Sequence, residues 1–174
     1  DHADLSDSVE SQICFADFCP NGADNAEDDN GHGTHVSGII SSRGVLSPVG
    51  VARNTRIHAI KVLDSSNGFS SSSIIIEALD HIINNLPQVN LVNMSLGTFD
   101  RFESFCDQQN IYTRAFATAI NTLRDRGTLS FVASMNNASS NSISAPACIS
   151  NAISVGAVWD SNCLLYTSDA ADDE

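Results

Sequence analysis

Basic side chains are scarce in this chain: 8 Lys and Arg stand against 21 Asp and Glu, a formal charge of −13 at pH 7. A surface of that sign repels phosphate backbones, so no nucleic-acid partner is expected. It suits an exported protein, or one from a salty habitat. Long apolar runs are missing as well. None approaches the roughly 20 residues that a membrane helix needs, so no membrane partner is expected. The chain begins Asp1-His2-Ala3-Asp4-Leu5, without the basic-then-apolar pattern of an export signal, which would lie upstream or have been removed. Cys-x-x-Cys pairs are also absent, which weakens zinc and thioredoxin-like readings. The five cysteines are Cys14, Cys19, Cys106, Cys148 and Cys163. Four of them can form two bridges, placing the protein in an oxidising compartment with Cys163 left over; buried free thiols are the alternative. With 174 residues, 42% of them apolar, the chain is about one globular domain long and can bury a core.

Residues 1 to 31 are polar and acidic with little periodicity. They read as an extended surface segment, stapled by a short Cys14–Cys19 bridge ahead of the turn Pro20-Asn21-Gly22. A helix is expected to begin between Gly31 and Gly33, run through Val36, Ile39 and Ile40, and end by Gly44. Arg56 to Leu63 reads as a strand, and Ile74 to Leu86 as a helix with Ser73 as N-cap and Pro87 as terminator. Val89 to Gly97 reads as a buried parallel strand. Ile111, Ala115, Phe116, Ala119, Ile120 and Leu123 recur at helical spacing up to Gly127. Thr128 to Ser134 and Ala152 to Val158 read as two further buried strands. Strands and helices alternate, which implies an α/β fold: a mostly parallel sheet with helices on both faces, a three-layer sandwich. Ligands in such folds lie beyond the carboxyl ends of the strands. The loop 64–71, Gly97, Met135 and Asn136 all fall there.

The chemistry-bearing stretch is Asp28-Asp29-Asn30-Gly31-His32-Gly33-Thr34-His35-Val36-Ser37-Gly38. It brings an imidazole to a helix entrance between two glycines, which leave room for a substrate. An imidazole titrates in the range that general-base chemistry near neutral pH needs. His32 is therefore the candidate base. His35 lies one turn on and reads as a packed structural residue, as do His58 and His81. A metal-dependent hydrolase using His32 and His35 is an alternative, but no Glu follows His32 as in His-Glu-x-x-His. Asn136 follows an apolar strand, where a side-chain amide can donate to a developing oxyanion. Ser95 lacks the Gly-x-Ser-x-Gly elbow that exposes a nucleophile, and reads as structural or substrate-lining.

Together, Gly31-His32-Gly33-Thr34-His35-Val36-Ser37-Gly38, Val49-Gly50-Val51-Ala52, Ile60-Lys61-Val62-Leu63, Val92-Asn93-Met94-Ser95-Leu96-Gly97 and Ile153-Ser154-Val155-Gly156-Ala157-Val158 resemble the subtilisin-like serine proteases. The resemblance runs from about Asp1 to Asp160. It implies a secreted serine endopeptidase, monomeric, acting on proteins or peptides through a Ser-His-Asp triad and needing no cofactor for catalysis. His32 matches the base of that triad and Asn136 the oxyanion amide. Ser95, Leu96 and Gly97 match the segment that pairs with substrate backbone and, with Ala133, Ser134 and Met135, walls the pocket for the residue before the scissile bond. Ser66, Asn67 and Gly68 match the opposite substrate-pairing strand, and Leu63 a deeper subsite. Extended peptides would bind as an added β-strand. Asp4 matches an aspartate that often ligates a structural calcium with carbonyls of a loop, here near Arg43 to Pro48.

Three departures follow. The family's catalytic Asp lies a few residues before the stretch matched by His2-Ala3-Asp4-Leu5, so neither Asp28 nor Asp29 is expected to orient His32. No Gly-Thr-Ser-Met-Ala-type motif occurs in the chain, so the nucleophile too is expected outside it. Met135 stands where the family usually has glycine, and its length would crowd the first specificity pocket or tilt the Asn136 amide. Residues 1–160 thus read as a partial catalytic domain, incomplete at both ends and inactive alone. Residues 161–174 read as a non-native tail. A catalytically dead, peptide-binding pseudo-protease is the other reading. From the placement of its loops, a Cys106–Cys148 bridge is expected.

Overall fold

A computed structural model describes residues 2–158. The tail 161–174, with Cys163, lies outside them. The described residues fall into two compact units that divide between Ala78 and Leu79.

In the first unit, β1 (Val9–Cys14) lies parallel to β2 (Ile57–Lys61), with Val9 opposite Ile57 and Cys14 opposite Lys61. Within 1–31, read from the sequence as an extended surface segment, β1 adds a strand that is paired in a sheet. Its sequence, Val-Glu-Ser-Gln-Ile-Cys, carries three polar residues that are poor strand formers, and only the partner strand decides its conformation. A Cys14–Cys19 disulfide closes the turn after it. α1 (His32–Ser41) connects β1 to β2. Its last carbonyls are not left open: the N–H groups of Gly50, Val51 and Ala52 donate to Ser42, Ile39 and Ile40 at 3.0, 3.0 and 2.7 Å. That return needs Gly50, because a Cβ there would stand 2.6 to 2.8 Å from the backbone of Ser42, Ser41 and Gly38. Leu5, Cys14, Val62, Ile74, Ile75 and Ala78 are the buried apolar residues of this unit.

α2 (Ser73–Asn85) spans the division between the units. Ile75, Ala78, Leu79 and Ile82 recur on its buried face at helical spacing. Ser73 is its first residue rather than its cap. The N–H of Ser73 donates to Ser71 Oγ at 3.2 Å and that of Ile76 to the Ser72 carbonyl at 3.2 Å, so the capping role lies two residues earlier.

The second unit holds the parallel sheet β3 (Leu91–Met94), β5 (Leu129–Ala133), β7 (Ile153–Val155), in that spatial order. β4 (Arg101–Phe102) and β6 (Ile143–Ser144) form a two-residue antiparallel pair with no forewarning in the sequence. α3 (Ile111–Asp125) starts with a reciprocal cap: Asn110 Oδ1 accepts the Thr113 N–H at 3.0 Å, and Thr113 Oγ1 accepts the Asn110 N–H at 3.1 Å. It ends at Gly127, whose φ of 91° lets the Thr128 N–H reach the Leu123 carbonyl at 2.9 Å. Phe116, Leu123 and Val132 are fully enclosed, each contributing about 1.5–3 kcal/mol through burial. The guanidinium of Arg126 donates to the carbonyls of Ile83 and Ile82 at 2.9 and 3.2 Å, closing the C-terminal end of α2. A Cys106–Cys148 disulfide joins the loops that follow β4 and β6.

The architecture is α/β with mostly parallel pairing, as the alternation of elements implies. Two strands are less enclosed than expected. Leu91 of β3 is 60% exposed and Val155 of β7 is 49% exposed. Among the described residues each of these strands pairs within the sheet only with β5, which leaves one edge of each without a ladder.

Candidate active site

Gly31 has φ 106°, a left-handed conformation that a side chain disfavours. It turns the chain so that His32, half-buried, becomes the first residue of α1. Asp28 secures this entrance. Its Oδ1 accepts the N–H groups of Gly31 and Asn30 at 2.8 and 3.1 Å, and its Oδ2 accepts that of Thr34 at 2.7 Å. A carboxylate outside the helix thereby neutralises the positive end of the helix dipole. This role is additional to those expected from the sequence, although an Asp shortly before a helix start is its usual signal. Burial raises the Asp28 pKa, but hydrogen bonds from Thr34, Gly31 and Asn30 outweigh it and hold the group at about 2. Asp29 pairs with the Lys61 ammonium. Both carboxylates thus have partners of their own, Asp28 in backbone N–H groups and Asp29 in Lys61.

Gly33 has a different reason from Gly31. A Cβ there would lie 3.6 Å from Asp28 Oδ2, an ordinary contact, so glycine keeps this face of the helix open rather than avoiding a clash. Asn30 links His32 to the neighbouring loop: its Oδ1 accepts the His32 N–H at 3.3 Å and its Nδ2 donates to the Ser65 carbonyl at 3.1 Å. That loop is a tight turn. Asp64 Oδ1 accepts the N–H groups of Ser66 and Gly68 at 2.8 and 2.9 Å, which lowers its pKa, and Asn67 has φ 58°. Ser66 and Asn67 therefore lie in a turn and not on the extended edge expected for them. Leu63 is half-buried just before it.

His35 is exposed, not packed. His58 serves the sheet, its Nδ1 lying 2.7 Å from Ser11 Oγ across the β1–β2 pair. Among the described residues no group of three or more His, Cys, Asp and Glu is arranged to hold a metal ion, so no observation favours the reading built on His32 and His35.

Acid is expected to loosen the entrance of α1 selectively. The folded pKa of Asp28, about 2, lies below its ordinary 3.8, so its stabilisation is complete above pH 4 and is lost as pH falls towards 2. α3 is capped by a neutral amide and has no such dependence. Amide-exchange protection of Gly31 and Thr34 should fall over this range before that of Thr113 and Arg114. Equal losses at the two helices would overturn this.

In the second unit, adjacent β3 and β5 deliver Ser95, Leu96 and Gly97 beside Ala133, Ser134 and Met135. The Ser134 N–H donates to the Val155 carbonyl at 2.9 Å, and the Thr98 N–H to the Ala145 carbonyl at 2.8 Å, pinning both ends. Ser95 Oγ accepts from Asn93 Nδ2 at 3.1 Å, as a structural hydroxyl does. Met135 has φ 73°, and Asn136 after it is exposed.

Residues 1–172 match the subtilase family. The chain belongs to this family. Among subtilases, it is 37% identical over 142 residues to an alkaline proteinase of Hapsidospora chrysogena, covering 79% of this chain and 31% of that one. It is 35% identical over 148 residues to subtilisin Savinase of Lederbergia lenta, covering 84% of this chain and 49% of that one. The structure of sphericase superposes with a TM-score of 0.74 at 29% identity, covering 92% of this chain and 51% of that one. The chain thus spans about half the length of these relatives or less.

One expected feature of this subtilase chain does not fit. Asp4, 1% exposed, faces amide hydrogens and not carbonyl oxygens. Its Oδ1 accepts the N–H groups of Val45 and Leu46, and its Oδ2 those of Leu46 and Ser47 together with the Ser47 hydroxyl. Burial raises its pKa, but bonds from Val45, Ser47 and Leu46 hold it at about 2. A calcium ion needs oxygen ligands, and here N–H donors occupy the carboxylate. The loop 43–47 is closed by the chain itself. Arg43 reinforces it, its N–H donating to the Asp4 carbonyl at 3.0 Å and its Nε to Ser8 Oγ at 3.1 Å. Excess EDTA is therefore expected to leave amide protection of residues 45–47 unchanged. A loss of protection that calcium restores would refute this.

Proposed function

We propose that this chain carries the general base and the oxyanion amide of a secreted, monomeric serine endopeptidase acting on proteins or peptides. The placement of His32 carries the reading. It stands at the entrance of α1, behind a left-handed Gly31 and beside an open Gly33, in a motif shared with a family of serine proteases. In that role His32 takes the proton of the nucleophilic serine and returns it to the leaving amine. Asn136 donates to the oxyanion of the tetrahedral intermediate. Ser95 to Gly97 pair with extended substrate backbone, as a strand added to the sheet would. Export is supported by the two disulfides and by the relative named minor extracellular protease Epr of Bacillus subtilis (strain 168).

The chain of 174 residues alone gives no turnover, since none of its serines stands in the family's nucleophile motif. A fluorophosphonate probe tests both statements. It should label the full-length protein at a single serine outside this chain, in step with loss of peptidase activity. Absence of labelling in a folded full-length protein would remove the serine-protease reading in favour of a peptide-binding one. Labelling of the isolated chain would contradict its predicted inactivity.

A further inference from the structure

The carboxyl ends of β3 and β5 lie side by side, and in open parallel sheets the crevice outside such ends receives the ligand. One side chain already occupies this crevice. A methyl group built on Gly97 would stand 2.7 Å from Met135 Cγ, 3.0 Å from its Sδ and 3.2 Å from the Ala145 carbonyl oxygen. The Met135 thioether therefore lies flat on Gly97, bridging the two strand ends. Only a residue without a side chain at 97 permits that approach. The backbone at Met135 is left-handed, φ 73°, a conformation that long side chains seldom adopt and that persists where the surroundings enforce it. A polarizable, unbranched methionine is well suited to filling an irregular gap of this kind.

We propose that Met135 is a specificity-determining residue: its side chain fills the space between Ser95–Gly97 and Ala133–Met135, so the enzyme cleaves after small residues such as Ala and rejects aromatic ones. This rests on the serine-endopeptidase reading given above. A substrate alanine reaches no further than its methyl group and meets the thioether as a wall. A phenylalanine must displace the thioether from Gly97, or remain outside with its own ring in water. Hydrophobic pockets discriminate by roughly 10- to 200-fold for a single methylene, and the mismatch here is larger.

The test uses the full-length protein and two peptide anilides that differ only in Ala or Phe before the scissile bond. Wild-type kcat/KM should favour Ala by about 100-fold or more. Met135→Gly removes the plug and should lower the Ala-to-Phe ratio by about tenfold or more, mainly by raising the Phe value. Fluorophosphonate labelling of the same preparation separates failure of the plug from failure of the protease reading. Without labelling or cleavage, the protease reading fails and this one with it. With labelling but equal or better cleavage after Phe, the protease reading stands and the plug is wrong. A folded Met135→Gly with an unchanged ratio also overturns it. If that variant does not fold, the wild-type ratio decides alone.

Discussion

Replacing His32 by alanine in the full-length protein is expected to lower kcat by roughly a million-fold, the loss known for the base of subtilisin, itself a member of this family. The geometry of this chain adds a contrast between two histidines. His32 is the first residue of α1, and its backbone N–H is held by Asn30. His35 lies on the same helix but is exposed. His35→Ala should therefore leave kcat within about twofold, since surface changes away from special features shift energies by no more than about 0.5 kcal/mol. The pair of variants separates the triad base from a two-histidine metal site, which would lose activity with either substitution. Steady-state kinetics on one peptide substrate is sufficient. Comparable losses in the two variants would sink the assignment of His32 as a triad base.

Removing the Cys106–Cys148 disulfide should have the largest effect on stability, about 4 kcal/mol by loop-closure entropy. The two cysteines are 42 positions apart in sequence, whereas Cys14 and Cys19 are 5 apart and should contribute only about 2 kcal/mol. The longer bridge also has more support. Cys106 and Cys148 are 0% and 2% exposed, and the Cys106 N–H donates to the Cys148 carbonyl at 3.0 Å. Next to it, the Asp107 carboxylate accepts the N–H and hydroxyl of Ser150 at 3.1 and 2.8 Å. Without the bridge, Ser144 to Ala152 is held by non-covalent contacts alone: these bonds, the β4–β6 pair, the Thr98 N–H on the Ala145 carbonyl, and Asn151 Nδ2 on Asn121 Oδ1 of α3 at 2.8 Å. A loss of that size is a large part of the roughly 5–15 kcal/mol by which a domain is stable. Urea unfolding of Cys106→Ala/Cys148→Ala beside Cys14→Ala/Cys19→Ala gives the comparison. A larger midpoint drop for the second pair would contradict the entropic argument.

The candidate site was legible where its signal is local. Gly31-His32-Gly33 marks a helix entrance because acidic and amide residues, two glycines and an apolar period follow one another within a few residues. The same holds for α2 and α3, which end where Pro87 and Gly127 say they must. β2, β3 and β5 were legible from their branched and apolar content. β1 was not, because Glu10, Ser11 and Gln12 are strand residues only through their ladder to β2. Nor was the two-residue pairing of β4 with β6, which is too short to leave a pattern.

Asp4 shows the limit most clearly. The resemblance supplied a carboxylate and a loop, but the direction in which the loop's peptide planes turn decides between a cation site and an anion clamp. Those planes present N–H groups. Met135 is similar: its unusual length for that position is visible in the sequence, and its seat on Gly97 is not.

The sequence by itself pointed to the family, the candidate base, the candidate oxyanion amide and the order of the three helices with β2, β3, β5 and β7. Each of these is written in residue type and in spacings of a few positions. Only the tertiary structure decided the partner of β1, the turn at Ser66 and Asn67, the donors around Asp4, and what fills the crevice beside Gly97. These depend on which groups distant segments bring within about 3 Å of each other, and hydrogen-bond direction and steric contact are settled only at that range.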